Sequence, residues 1–171
     1  YGDFRPIADT ANFIIVHPQG LVSSTLNATY WNAYFGGTDD DFTFIKNLID
    51  TISSNYSINP NRIHSTGMSN GGYMSLALAA EFDGLFASVA SVTGTMTRIF
   101  PTNVNNNQPI SVMQIHGTND PTVDYNGNAT SISVQNVLNF WIAHNSANTI
   151  AVVDSIPNIN LADSCYANRF T

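Results

Sequence analysis

At 171 residues the chain has the length of one domain and can bury a real core. Hydrophobic residues make up 43% but charged residues only 10%, against a typical share of about a quarter, so the polar quota is filled by Asn, Ser and Thr; that balance suits an extracytoplasmic protein. The formal charge of −7, with only five Lys and Arg, argues against nucleic acid and against an anionic membrane surface as partners.

Cys165 is the single cysteine, which excludes an intrachain disulfide and a cysteine-cluster metal site within these residues; in a secreted chain its partner is expected outside the segment. Neither a signal-peptide pattern nor a run of about 20 apolar residues is present. The chain starts at Tyr1, without Met, in a stretch that already reads as structured, and is expected to be a piece of a longer protein.

In chain order, residues 4–11 have a weakly helical pattern. Asn12 to His17 (NFIIVH) is a β-branched apolar run closed by Pro18-Gln19-Gly20, which predicts a buried parallel strand. Residues 21–38 mix Ser, Thr, Asn and Gly with Tyr30, Trp31, Tyr34 and Phe35, a long aromatic-rich loop of the kind that is functional or mobile. Asp39, Asp40 and Asp41 then open a helix whose Ile45, Leu48, Ile49, Ile52 and Tyr56 fall on one face. The three carboxylates are explained by the positive end of the helix dipole, without a catalytic or metal role. Asn59-Pro60-Asn61 breaks that helix, and Arg62 to Thr66 reads as the next strand.

Further strands are predicted at Phe86 to Val92, Ile110 to His116 and Thr149 to Ser155, with a polar connection over 93–109. A helical stripe runs through Val134, Val137, Leu138, Trp141 and Ile142. Strands alternating with helices imply βαβ units and a parallel sheet.

The chemistry centres on Gly67-Met68-Ser69-Asn70-Gly71, which fits G-x-S-x-G between a strand-like run and the apolar run Tyr73 to Ala80. In this pattern a serine sits on a sharp strand-to-helix turn with its hydroxyl raised above the sheet, and small residues two before and two after it leave room for the chain to double back. Such a serine needs a histidine to take its proton and a carboxylate to orient that histidine, in the chain order Ser, Asp, His. Asp120 fits the second position, just past a predicted strand in HGTNDPTV. His17, His64 and His116 are out of order, and His144 lies near a helix end. The triad histidine is therefore expected beyond Thr171. The backbone N–H of Asn70 is the expected oxyanion donor, and its second partner, from the loop after an earlier strand, is expected before Tyr1.

Other chemistries find no pattern. The histidines lack H-E-x-x-H spacing, and neither phosphate-binding glycine motif occurs. The triplets at Asn27, Asn55 and Asn128 match glycosylation acceptors, as chance produces in so Asn-, Ser- and Thr-rich a chain.

Four blocks in order resemble the secreted polyhydroxybutyrate depolymerase-like esterases, neighbours of the feruloyl and acetylxylan esterases. They are Ile7-Ala8-Asp9 with NFIIVHPQG, Trp31 with Asp40-Asp41 and Phe44-Ile45, NPNRIHSTGMSNGGYM, and HGTNDPTVDYNG. The resemblance implies an α/β-hydrolase fold, a Ser-Asp-His triad and no cofactor. It carries Ser69 over as nucleophile, Asp120 as triad acid and Asn70 as oxyanion donor. The family's later G-H-x-W-like loop and its upstream H-G-type oxyanion loop are not found here, so the segment is expected to be one hydrolase domain over 1–171, incomplete at both ends and inactive alone.

The expectation is an extracellular serine esterase, monomeric and without membrane insertion, acting on a polyester such as a polyhydroxyalkanoate or on an acylated plant polysaccharide. The alternatives are a non-catalytic carbohydrate- or polymer-binding relative, with the 30–35 aromatics as platform, and a peptidase on the same fold.

Overall fold

The computed structural model describes residues 3–23, 25–100, 104–105, 107–156 and 167–170. At its centre is a parallel sheet of three strands, β3 (His64–Met68), β4 (Ser88–Val92) and β5 (Ser111–Ile115), in the order β3-β4-β5. The register pairs Met68 with Val92 and Val92 with Ile115, so the three strands end level at their C-terminal rim. Two short antiparallel pairs lie apart from this sheet: β1 (Val22–Ser23) with β2 (Ala28–Thr29), and β6 (Val153–Ile156) with β7 (Ala167–Phe170).

Four helices accompany the strands: α1 (Arg5–Ala11), α2 (Asp41–Asn55), α3 (Asn70–Glu81) and α4 (Val134–His144). The helix α3 is the hub. Gly72 to Ala80 are all buried in it, and Leu76 and Ala79 are fully so, because an Ala- and Leu-rich helix can lie close against the sheet from several sides. Truncating a buried leucine such as Leu76 to alanine costs about 2–5 kcal/mol. Val137 and Trp141 of α4, Ile45 of α2 and Val89 of β4 complete the core around it.

Alternation along the strands divides the sheet into unlike faces. Val89 and Ser91 point into the core, whereas Met68, Met113 and Ile115 on the opposite face are each about half exposed. The described residues put no helix layer over that second face.

Several sequence expectations are adjusted. The elbow strand lies at 64–68 rather than 62–66, because Pro60–Arg62 form a 3₁₀ turn, with Asn59 accepting from the Asn61 N–H. The strands expected over 86–92 and 110–116 shorten to the rungs that pair. The run Asn12 to His17 is not a strand. It makes no ladder, and Phe13, Ile14 and Val16 are exposed. Apolarity is a property of the segment, but a strand also needs a backbone partner in register, which composition cannot supply. The run at 149–155 yields only β6, paired outside the parallel sheet. Within the connection expected to be polar, Thr95, Met96 and Thr97 are buried. Cys165 lies outside the described residues.

The three aspartates divide their work instead of sharing the helix dipole. Asp40 is the N-cap of α2, accepting from the Thr43 N–H at 3.0 Å. Asp41, only 4% exposed, accepts the Asn32 N–H at 2.6 Å and so ties the aromatic loop to α2. Asp39 receives the Tyr30 hydroxyl at 3.5 Å.

The crowding at the elbow is one-sided. A Cβ on Gly67 would sit 2.4 Å from the Gly71 carbonyl carbon, whereas one on Gly71 meets nothing within 4 Å outside its own helix and chain neighbours. The expectation that both positions exclude a side chain holds for Gly67 alone. Gly67→Ala is expected to cost more than about 2 kcal/mol, the scale of strong overpacking. Gly71→Ala, inside a helix, is expected to be neutral or to stabilise by up to about 1 kcal/mol. Thermal unfolding of the two variants side by side checks the contrast, and equal losses would contradict it.

Candidate active site

Ser69 stands between β3 and α3 with φ 52° and ψ −119°, a left-handed conformation that costs a non-glycine residue about 1–3 kcal/mol. The surrounding backbone holds it there. The Ser69 N–H donates to the Val92 carbonyl at 2.8 Å, fastening the turn to the end of β4. The Ser69 carbonyl accepts from Gly72 and Tyr73 N–H at 2.8 and 3.1 Å, so the serine closes the first turn of α3. Its own hydroxyl has no hydrogen-bond partner among the described residues.

Beneath the turn, glycines pack backbone on backbone. A Cβ on Gly72 would fall 2.6 Å from the Ser91 hydroxyl oxygen, and one on Gly94 would fall 2.8 Å from both the Ser69 carbonyl oxygen and Gly72. Gly94 was not singled out from the sequence; its only signal there is a glycine directly after a buried strand. Deeper, the Thr95 hydroxyl donates to the Tyr73 hydroxyl at 2.9 Å, and Tyr73 bonds Ser131 at 2.6 Å. This buried chain of hydroxyls ties the elbow helix to the segments at 95 and 131, with every member satisfied.

Asn70 opens α3. Its backbone N–H meets no acceptor among the described residues, as expected for the first amide of a helix, and it lies at the positive end of the helix dipole. Its side chain has a second engagement that sequence reasoning missed. Oδ1 accepts the Trp31 N–H at 2.6 Å, and Nδ2 donates to the Trp31 carbonyl at 3.0 Å. Nothing local marks this pair, since 39 residues separate its members.

Asp120 follows β5 on the same rim as Ser69. One carboxylate oxygen, Oδ1, accepts the N–H groups of Thr122 and Val123, both at 2.9 Å. These backbone bonds, Val123 first, hold the carboxyl below the usual carboxylate range; burial opposes them, and the nearby His116 adds slightly to the lowering. The other oxygen, Oδ2, lies 3.9 Å from His116 Nε2, beyond a hydrogen bond.

That leaves the histidines. The His116 side chain is 1% exposed, and its Nε2 contacts the Val123 carbonyl at 2.8 Å, which requires the proton on Nε2. Its Nδ1 then faces the Gln114 amide at 3.3 Å, whose NH₂ also donates to the Gly94 carbonyl at 2.6 Å. His116 thus braces the aspartate loop. His64 bonds the Ser88 hydroxyl at 2.8 Å, and His144 contacts the Gln108 carbonyl at 3.1 Å. His17 lies in the exposed run near the N-terminal end. No histidine hydrogen-bonds Ser69 or Asp120 among the described residues.

A serine on a strand–turn–helix elbow at the C-terminal rim of a parallel sheet, with a helix packed behind it, defines an α/β-hydrolase. Within that class the chain belongs to the phospholipase/carboxylesterase family, whose model matches residues 34–162. It is 36% identical over 124 residues to a protein of Nocardia uniformis subsp. tsuyamanensis provisionally named esterase NocK, covering 72% of this chain and 36% of that protein. It is 30% identical over 120 residues to feruloyl esterase D of Neurospora crassa, covering 70% and 37%. It is 29% identical over 92 residues to poly(3-hydroxyalkanoate) depolymerase C of Paucimonas lemoignei, covering 52% and 22%. The chain therefore spans well under half the length of these relatives.

The Asp120 loop has a definite pH response. Because the folded carboxyl titrates below its ordinary value of 3.8, its contribution to loop stability is complete above that value and is lost as pH falls through the lower folded value. Amide exchange at Thr122 and Val123, corrected for intrinsic rates, is expected to stay slow from pH 7 down to about 4 and to accelerate below, within the range where carboxylates titrate. Loss of protection already at pH 6 would contradict this account.

Proposed function

We propose that the chain carries the nucleophile and acid of a serine carboxylic-ester hydrolase working through an acyl-enzyme. The observation that carries the reading is the strained Ser69 elbow beside the unpartnered Asn70 N–H. A protein does not maintain a serine at φ 52° with its hydroxyl free unless the surroundings over-determine it, and such strain clusters at functional sites.

In the proposed cycle Ser69 Oγ attacks the ester carbonyl carbon and passes its proton to a histidine. The carbonyl oxygen takes up the negative charge and is met by the Asn70 N–H. Collapse breaks the ester bond, the histidine returns the proton to the departing alcohol, and water repeats the sequence to release the acid. Asp120 Oδ2 orients the histidine, while Oδ1 stays anchored to its own loop. The ends of β3 and β5 are two strand spacings apart, about 10 Å, a gap that one imidazole can bridge between serine and aspartate.

The proposed proton acceptor is a histidine supplied from beyond Thr171, and the second oxyanion donor comes from before Tyr1. His64, His116 and His144 each have a ring nitrogen committed elsewhere, which supports that division. The family and the esterase names of the relatives support an ester as substrate, either a polyester or an acyl group on plant polysaccharide. The low-charge, Asn- and Ser-rich composition supports an extracellular setting.

In the full-length protein that carries this chain, Ser69→Ala is expected to lower kcat on p-nitrophenyl acetate by more than about 10⁴-fold while leaving thermal stability equal or improved. Asp120→Asn is expected to lose about 10³–10⁴-fold, through misorientation of the histidine. Wild-type-like turnover in Ser69→Ala would remove the assignment.

A further inference from the structure

Alternation along β5 turns Val112 and Gln114 inward, and His116 continues that side just past the strand end. Val112 packs against the core, so Gln114 puts a carboxamide on a side where an apolar residue is ordinary. Its NH₂ group is fully used. Nε2 donates to the Gly94 carbonyl at 2.6 Å and meets His116 Nδ1 at 3.3 Å, one hydrogen for each. Its Oε1 is buried with no hydrogen-bond partner among the described residues, so the two donors are what this side chain contributes.

Those two bonds join the halves of the site. On one side, Gly94 lies against the elbow, where a Cβ would come within 2.8 Å of the Ser69 carbonyl oxygen. On the other, His116 Nε2–H reaches the Val123 carbonyl at 2.8 Å, and the Val123 N–H binds Asp120 Oδ1 at 2.9 Å. A continuous run of contacts thus leads from the floor of the Ser69 turn to Asp120. The same run fixes the imidazole. Because Gln114 presents a hydrogen to Nδ1, that nitrogen is the acceptor and the ring proton sits on Nε2. Nε2 gives that proton to Val123 at 2.8 Å, while Asp120 Oδ2 stays 3.9 Å away, beyond a hydrogen bond. With the proton on Nδ1 instead, lone pairs would face each other between Nε2 and the Val123 carbonyl, and the 120–123 turn would have to move. The Tyr125 ring meets the imidazole edge to face, centroids 5.9 Å apart, and limits its rotation.

We propose that Gln114 is a positioning residue for the hydrolysis, on the esterase reading of Ser69 and Asp120. Its NH₂ group sets the aspartate loop against the floor of the Ser69 turn. By fixing the His116 tautomer, it also keeps Asp120 Oδ2 open to the histidine that takes the serine proton. Gln114 touches neither the ester nor the reacting atoms, and it acts through Asp120. Serine and aspartate stand on separate loops, and a misplacement of about 1 Å costs on the order of a hundredfold in rate, so a strut between the loops has a kinetic effect.

The test uses the full-length protein that carries this chain. Nitrogen-15 NMR of the histidine-labelled wild type is expected to show His116 with its proton on Nε2 and a bare Nδ1. A proton on Nδ1 overturns the proposal, and this reading needs no variant, so it decides even if a substitution at 114 fails to fold. Gln114→Met keeps the length of the side chain and removes both donors. It is expected to lower kcat on p-nitrophenyl acetate by about tenfold to a hundredfold while KM changes by less than about twofold. The single-tautomer signal of His116 is expected to disappear with it. Combined with Asp120→Asn, Gln114→Met is expected to add little to the loss from Asp120→Asn alone, because both act through one carboxylate. A glutamine that merely supports the fold gives losses that multiply. That result, or wild-type kcat in Gln114→Met, overturns the positioning role alone. Ester turnover that persists undiminished in Ser69→Ala overturns the esterase reading itself, and the positioning role with it.

Discussion

The closeness of two backbones at Gly67 and Gly71 is the constraint on which the rest of the site depends. The chain leaves β3, reverses at Ser69 and enters α3 with the helix start pressed on the strand end, where even a methyl group has no room at Gly67. That contact leaves Ser69 no relaxed conformation. The strain is stored locally and is offset by the burial of α3, which contributes more residues to the core than any other element. A weaker core would let the elbow relax, and Ser69 would then lose its left-handed geometry. Gly72 and Gly94 extend the same close packing to the end of β4.

Around that fixed point the rim is assembled from separate loops, each stabilised by its own polar bonds. The aspartate loop folds on Asp120 and is braced by buried His116, an arrangement that spends one carboxylate oxygen on architecture and leaves the other open. The aromatic loop is folded by Asn32, Asp41 and Tyr34 and joined to the elbow by Asn70. Carboxylates accepting from neutral N–H and O–H groups do much of this work, with no Arg or Lys partner at either loop among the described residues. The two Arg or Lys ion pairs among the described residues, Arg5–Asp3 and Lys46–Asp50, are exposed and far from contributing much.

The placement of Ser69 and Asp120 on one rim was legible early because the signals for it are local. G-x-S-x-G between a strand and an apolar helix constrains a turn that only a few residues span, and HGTNDP places an aspartate directly past a strand end. The three aspartates before α2 were legible as a helix start, yet their separate duties were not. Asp41 is buried by a loop nine residues upstream, and nothing in its own neighbourhood signals that. His116 is already out of order for a base in the sequence, and its contact with the Val123 carbonyl shows what it does instead.

By itself, the sequence determined the alternation of strands and helices, the elbow serine and the aspartate that follows it, since each depends on side chains close in the chain. Tertiary structure alone decided which apolar runs become strands. The run at 12–17 has the composition of one and pairs with no strand among the described residues, while the run at 149–155 pairs away from the main sheet. Tertiary structure also decided that Gly67 and not Gly71 is the crowded glycine, and that Asn70 reaches 39 residues back to hold Trp31. The reason is physical: hydrogen-bond partners and steric neighbours distant in the chain are chosen by packing, and packing depends on all the elements at once.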